Sequence, residues 1–192
     1  MLWGAAQEHG LLTMGVGMGR RREPLGMPNK ANLHCWFNAI MQCLAHCAPS
    51  TVVPRRPSSK AGVVVDVFNA TVGCTQIEEP CIMTAIVDGL GLKHGARDPD
   101  GSLAQMMINA AGLSGALVVD ADWWWPWATV RVNGASEARI ISAVQMRRGG
   151  RHAVALLRIG GEWIECDDSR AARSLGRGEP AFLRYSPIVF VG

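Results

Sequence analysis

Two segments far apart in the chain carry side chains able to do covalent chemistry together. The first is Asn32-Leu33-His34-Cys35-Trp36-Phe37-Asn38-Ala39-Ile40-Met41-Gln42-Cys43-Leu44, with a thiol where a helix should begin. The second begins Gly149-Gly150-Arg151-His152-Ala153-Val154-Ala155 and resumes at Gly161-Glu162-Trp163-Ile164-Glu165-Cys166-Asp167-Asp168-Ser169. It places an imidazole at the start of an alternating strand and carboxylates one hairpin later. A thiol attacks well only once ionised, and a helix N-terminus and a neighbouring histidine both favour the thiolate. A histidine can take the proton, and a carboxylate behind it can fix its tautomer and stabilise the imidazolium. These types in this order predict nucleophilic catalysis, with Cys35 as nucleophile, His152 as base and Asp167 as the orienting acid. Asp168 is the rival for the last role.

Attack on a carbonyl also needs donors for the oxyanion. The backbone N–H of Cys35 is one, and a side-chain amide upstream, Asn29 or Asn32, is the second. His34 adjoins Cys35, but adjacent side chains at a helix start diverge, so it is not assigned as the base. Gly149 and Gly150 leave room around His152 and suit a narrow channel. Asp120 and Asp122 flank Trp123-Trp124-Trp125-Pro126-Trp127, an aromatic stretch able to form a binding wall, and Trp36 lies beside the nucleophile. Each feature also has a plainer meaning. A lone cysteine is usually a small core hydrophobe, Asp167-Asp168-Ser169 could be a polar turn, and most of seven tryptophans must be buried somewhere. An alternative of a different class is a zinc protein using Cys43, His46 and Cys47, with Cys74 and Cys81 farther along, but the partners of a tetrahedral site are not identifiable. No metal or cofactor is assigned.

Positioning these groups calls for helices first and strands later, an α+β chain. A helix is expected from Cys35 to about Cys47, with Phe37, Ile40, Met41, Leu44 and Cys47 at helical spacing. Val63-Val64-Val65-Asp66-Val67-Phe68 reads as a short β segment. Helices are expected over Pro80–Leu90 and Ser102–Ala111, the latter with Ser102 as N-cap and Gln105 as its capping-box partner. Strands are expected over Ala116–Asp120, Ala128–Val132, Arg139–Met146, His152–Ile159, Glu162–Cys166 and Pro187–Val191, with Gly160-Gly161 as a tight hairpin. Residues 1–27 read as an irregular arm and 28–192 as one domain, helical over 28–113 and β over 114–192.

The 192 residues are 48% hydrophobic with a net charge of +3, enough for a real core and too mild a charge to argue for nucleic acid or an anionic membrane. No apolar run approaches the roughly 20 residues that span a bilayer. The N-terminus does not look like a secretory signal. Six cysteines without a C-x-x-C pair fit a reducing, cytoplasmic setting better than a disulfide framework.

At the two boxes the chain resembles papain-fold cysteine proteases of two kinds. The ubiquitin-specific protease family has a cysteine box close to G-L-x-N-x-G-N-T-C-[FY]-M-N-x-x-x-Q-x-L, and here Cys35, Phe37-Asn38 and Gln42-Cys43-Leu44 follow it. Its histidine box, G-H-Y-V-A-Y and then G-x-W-x-x-F-D-D-S, is similar to Gly150-Arg151-His152-Ala153-Val154-Ala155 and Gly161 to Ser169. The aphthovirus leader protease, with N-C-W-L-N-A-I-L-Q and H-A-V followed by G-W-Y-x-I-D-D, resembles Cys35 to Gln42 and His152-Ala153-Val154 more closely. The resemblance implies a papain-like fold, with the nucleophile on a helical lobe and the histidine and aspartate on an antiparallel β lobe. It implies Cys35, His152 and Asp167 as the triad, with Asp168 in support. In both families an asparagine five positions before the cysteine lines the oxyanion hole. That position is Lys30 here, and Asn29 matches with one inserted residue.

Unlike most ubiquitin-specific proteases, the chain is small and lacks paired C-x-x-C motifs, which suggests a compact viral version acting in host cytoplasm. The implied activity is removal of ubiquitin or a ubiquitin-like protein by cleavage after a Gly-Gly-type tail. Self-release from a polyprotein precursor, with little activity in trans, and an inactive ubiquitin-binding module are the alternatives.

Overall fold

The first helix is apolar nearly all round, and that decides the architecture. A helix on a protein surface keeps a polar face, whereas one with none must be enclosed. The computed structural model describes residues 27–30, 32–48, 53, 60–113, 117–120, 129–132, 136–147, 152–168, 170–177 and 187–191, with side chains described outside 117–138. In chain order the elements are α1 (Cys35–Cys47), α2 (Gly62–Val72), α3 (Glu79–Thr84) running into a π-helical turn (Ala85–Gly89), and α4 (Gly101–Ala111). The strands follow: β1 (Leu117–Asp120), β2 (Thr129–Val132), β3 (Ser136–Met146), β4 (Ala153–Ile159), β5 (Glu162–Cys166), β6 (Arg173–Gly176) and β7 (Ile188–Val191). The fold is α+β, with helices in the N-terminal part and an antiparallel sheet in the C-terminal part.

The sheet runs β1-β7-β3-β4-β5-β6, and β2 pairs with the first residues of β3. Residues Cys35 to Ala45 of α1 are all buried, and the helix touches β3, β4 and β7 as well as α2 and α4. Strand alternation divides the core. On β4, Ala153, Ala155 and Leu157 join Val144, Ile188, Phe190 and the helices, whereas Val154 and Leu156 join Ile140, Ala143, Trp163, Val189 and Val191. Both faces of the central strands are therefore buried. Polar contacts fasten α1 to the sheet: the Cys43 thiol donates to the Ala143 carbonyl at 3.3 Å, and His46 Nε2 lies 3.0 Å from the Arg158 carbonyl. Among the described residues no helix is long and apolar enough to cross a membrane.

Several elements depart from expectation. Val63–Phe68 lies within α2 rather than in a strand. Its valines favour strands intrinsically, but Val64, Val67 and Phe68 are spaced to bury one helical face, and packing outweighs propensity. The N-cap of α4 is Asp100, not Ser102. Asp100 Oδ1 accepts from the Leu103 N–H at 2.8 Å and from the Ser102 hydroxyl at 2.6 Å, while Gln105 donates to Asn109 at 2.9 Å instead of closing a capping box. The helix expected over Pro80–Leu90 changes to π geometry at Ala85, where the Leu90 N–H reaches back to the Ala85 carbonyl. The β6 strand was not anticipated. The Gly160-Gly161 hairpin joins β4 to β5 as expected, with φ of 59° and 87°, the doubly left-handed backbone that two glycines allow.

Candidate active site

Cys35 is the first residue of α1, buried, and a free thiol. The turn before it is set by Asn29, whose Oδ1 accepts from the Leu33 N–H at 2.9 Å and the His34 N–H at 3.0 Å. Asn32 closes this turn by donating its N–H to the Asn29 carbonyl at 3.1 Å. It is exposed and sits at φ 53°, a left-handed conformation that asparagine tolerates better than most residues. The backbone amide of Ala153, first residue of β4, lies near enough to the Cys35 thiol to favour its charged form, as do the amides of Cys35 and Trp36 at the helix start. Burial nevertheless pushes the Cys35 thiol up. The Ala153 amide opposes this, and the nearby Asp168 carboxylate adds to it. The helix terminus acts in the expected direction, but desolvation of the thiolate outweighs it.

His152 lies one residue before β4, and its Nε2 is 2.9 Å from Asp167 Oδ1, just beyond the end of β5. Because β4 and β5 are hairpin neighbours, imidazole and carboxylate meet at the same end of the sheet. An ionised carboxylate only accepts, so this contact holds the proton on Nε2 and leaves Nδ1 as the basic nitrogen. Asp168 Oδ1 is 3.7 Å from the same Nε2. The Asp168 side chain is buried but turned to the helical side, where Oδ2 accepts from Asn29 Nδ2 at 2.6 Å and from Asn38 Nδ2 at 3.3 Å. Burial raises the Asp168 carboxyl above its usual value, with the Asn29 donor, the His152 ring and the Asn38 donor opposing, and Asp167 adding to the rise.

Asn38 was missed in the sequence reading. It is buried in α1 and its Nδ2 also lies 3.3 Å from the Pro28 carbonyl, so it ties helix, incoming chain and Asp168 together. The available signal was a polar amide three residues after Cys35 in an otherwise apolar run, because a buried amide needs partners.

Other nominated residues fall elsewhere. Trp36 is fully buried, packs edge-on to Phe37 and donates its indole N–H to the Gly95 carbonyl at 3.3 Å, so it anchors a loop and offers no face to a substrate. Asp120 pairs through its backbone with Ile188 in β1, and its side chain lies outside the described residues. Gly149, Gly150, Asp122 and Trp123 also lie outside them. His34 is wholly buried, with Nε2 2.6 Å from His94 Nε2 and Nδ1 3.8 Å from Glu79.

Cys43, His46 and Cys47 turn to Ala143, Arg158 and Ser142 of the sheet, contrary to the zinc alternative. Among the described residues, one group of three His, Cys, Asp or Glu donors stands close enough to share a cation: His152, Asp167 and Asp168, within 4.8 Å of one another. Asp167 already has a guanidinium beside it, Arg147 Nη2 at 3.4 Å from Oδ2. No protein-family model matches the chain, and no curated protein matches it.

Proposed function

We propose that the chain is a cysteine protease or isopeptidase that uses Cys35, His152 and Asp167. The observation that carries the reading is the 2.9 Å His152–Asp167 contact at the head of β4, where the amide of the next residue, Ala153, is close enough to the Cys35 thiol to favour its charged form. The likeness of the two boxes to ubiquitin-specific and leader proteases supports the choice of substrate, the Gly-Gly tail of ubiquitin or a ubiquitin-like protein.

In this mechanism the resting nucleophile is a thiol, since burial holds its proton on. His152 Nδ1 removes that proton as sulfur attacks the carbonyl carbon of the terminal glycine. Nε2–H remains on Asp167, which stabilises the imidazolium. The oxyanion is met by the Cys35 N–H and by the second N–H of the Asn29 amide, whose first is engaged by Asp168. The C–N bond breaks, His152 returns its proton to the leaving lysine amine, and a thioester remains. Water, deprotonated by His152, attacks the thioester to release the carboxylate and restore the thiol.

The test is ubiquitin bearing a C-terminal electrophile. A covalent adduct on Cys35 that disappears in Cys35→Ala, and forms at least about a hundredfold more slowly in His152→Ala, is expected. An adduct that survives Cys35→Ala, or none in the wild type with any ubiquitin-like probe, would overturn the reading.

A further inference from the structure

We infer that Arg147 is a positioning residue of this site, bridging Glu165 and Asp167 so that Asp167 Oδ1 stays turned toward His152. The inference rests on the thiol-hydrolase reading for its catalytic consequence, but its geometry stands apart from it.

Glu165 and Asp167 are two positions apart at the end of β5, so extended-chain alternation brings both toward one face. Both side chains are buried, 9% and 3% exposed. Two buried carboxylates on one face repel unless a cation lies between them. Arg147, just past the end of β3, supplies it: Nη2 contacts Glu165 Oε1 and stands 3.4 Å from Asp167 Oδ2. With Oδ2 held by Arg147, Oδ1 is the oxygen left for His152. The Arg147 backbone works to the same end, donating its N–H to the His152 carbonyl at 2.9 Å. One residue thus grips the base by its main chain and the orienting acid by its side chain.

The other charges nearby are less able to do this. Arg170 Nε is 3.9 Å from Asp167 Oδ2 but 67% exposed, where solvent screens it, against 30% for Arg147. Arg173 reaches only the Glu165 side, at 3.2 Å. Asp168 bears the same sign as Asp167 and is turned to Asn29 and Asn38.

The experiment compares wild type with Arg147→Met, Arg147→Gln and Arg147→Lys. Ring nitrogens of His152 are followed by nitrogen-15 NMR, and hydrolysis of a ubiquitin C-terminal fluorogenic amide is followed against pH. In the wild type the neutral ring should carry its proton on Nε2. In Arg147→Met both tautomers should appear, and the acid limb of kcat/KM should move up by about one pH unit, a loss of about tenfold at a pH on that limb. Arg147→Lys should recover part of both effects. Arg147→Gln, which keeps N–H donors without the charge, serves if the Met variant does not fold. An unchanged tautomer together with an unmoved limb would overturn the inference, even if the rate fell uniformly. A ring that responds to Arg147 in a protein without hydrolysis would keep the inference and reject the hydrolase.

Discussion

The thiol at residue 35 is pulled in opposite directions. Amides at the helix start and at Ala153 favour its charged form, while burial and the Asp168 carboxylate disfavour it more. Sequence logic alone favoured a thiolate, because helix position is legible in a sequence and desolvation is not. The rate of Cys35 carbamidomethylation by iodoacetamide should therefore rise with pH to a midpoint above that of an ordinary cysteine. Mass spectrometry of the Cys35 peptide checks this, and a midpoint below that range would mean a resting ion pair. Two other thiols should stay silent, since burial pushes Cys47 up to about 11 and Cys166 up to about 12. Cys35, His152 and Asp167 drew notice in the sequence because each sits at a recognisable junction: a helix start, a strand start, a strand end. Asn38 left only the signal of an amide in an apolar run, and Arg147 left none, because its contacts are with Glu165 and Asp167, far away in the chain.

Helix α4 shows what a single capping group does for an element. Asp100 accepts from Ser102 and Leu103, and these bonds, led by the Ser102 hydroxyl, hold its carboxyl below the usual range against the opposing effect of burial. Its folded-state value thus lies below its unfolded one. The benefit is present in full above the unfolded value and is lost as pH falls through the folded one. Asp100→Ala should cost about 1 kcal/mol near neutral pH. The gap between wild type and variant should narrow in acid, and urea unfolding at several pH values measures it.

Element type was legible where periodicity and packing agree, as in α1 and in β3 to β5. It failed at Val63–Phe68, where a valine run that favours strands is buried as a helix, and at β6, whose Arg173-Ser174-Leu175-Gly176 carries no apolar alternation. The expected Ser102 cap missed because the helix starts at Gly101, so Asp100 takes the Leu103 amide and the Ser102 hydroxyl, inside the first turn, donates to Asp100. Antiparallel pairing of β4 and β5 followed from the Gly160-Gly161 turn, whereas the insertion of β7 between β1 and β3 depends on long-range contacts that no local pattern encodes.

Across the whole molecule the candidate site is shared by two layers, with Cys35 and Asn38 on the helical side and His152, Asp167 and Asp168 at the end of the sheet. The buried α1 side chains are what keep these layers together. Phe37, fully buried in that helix, should cost about 3–5 kcal/mol when replaced by alanine, read as a lower urea midpoint with an unchanged slope. On the proposed reading, sulfur rides on one layer and imidazole on the other. Warming that loosens the seam between them would part the reactants while each layer still holds its own hydrogen bonds. Turnover would then fade at a lower temperature than far-ultraviolet dichroism, making catalytic output a gauge of docking.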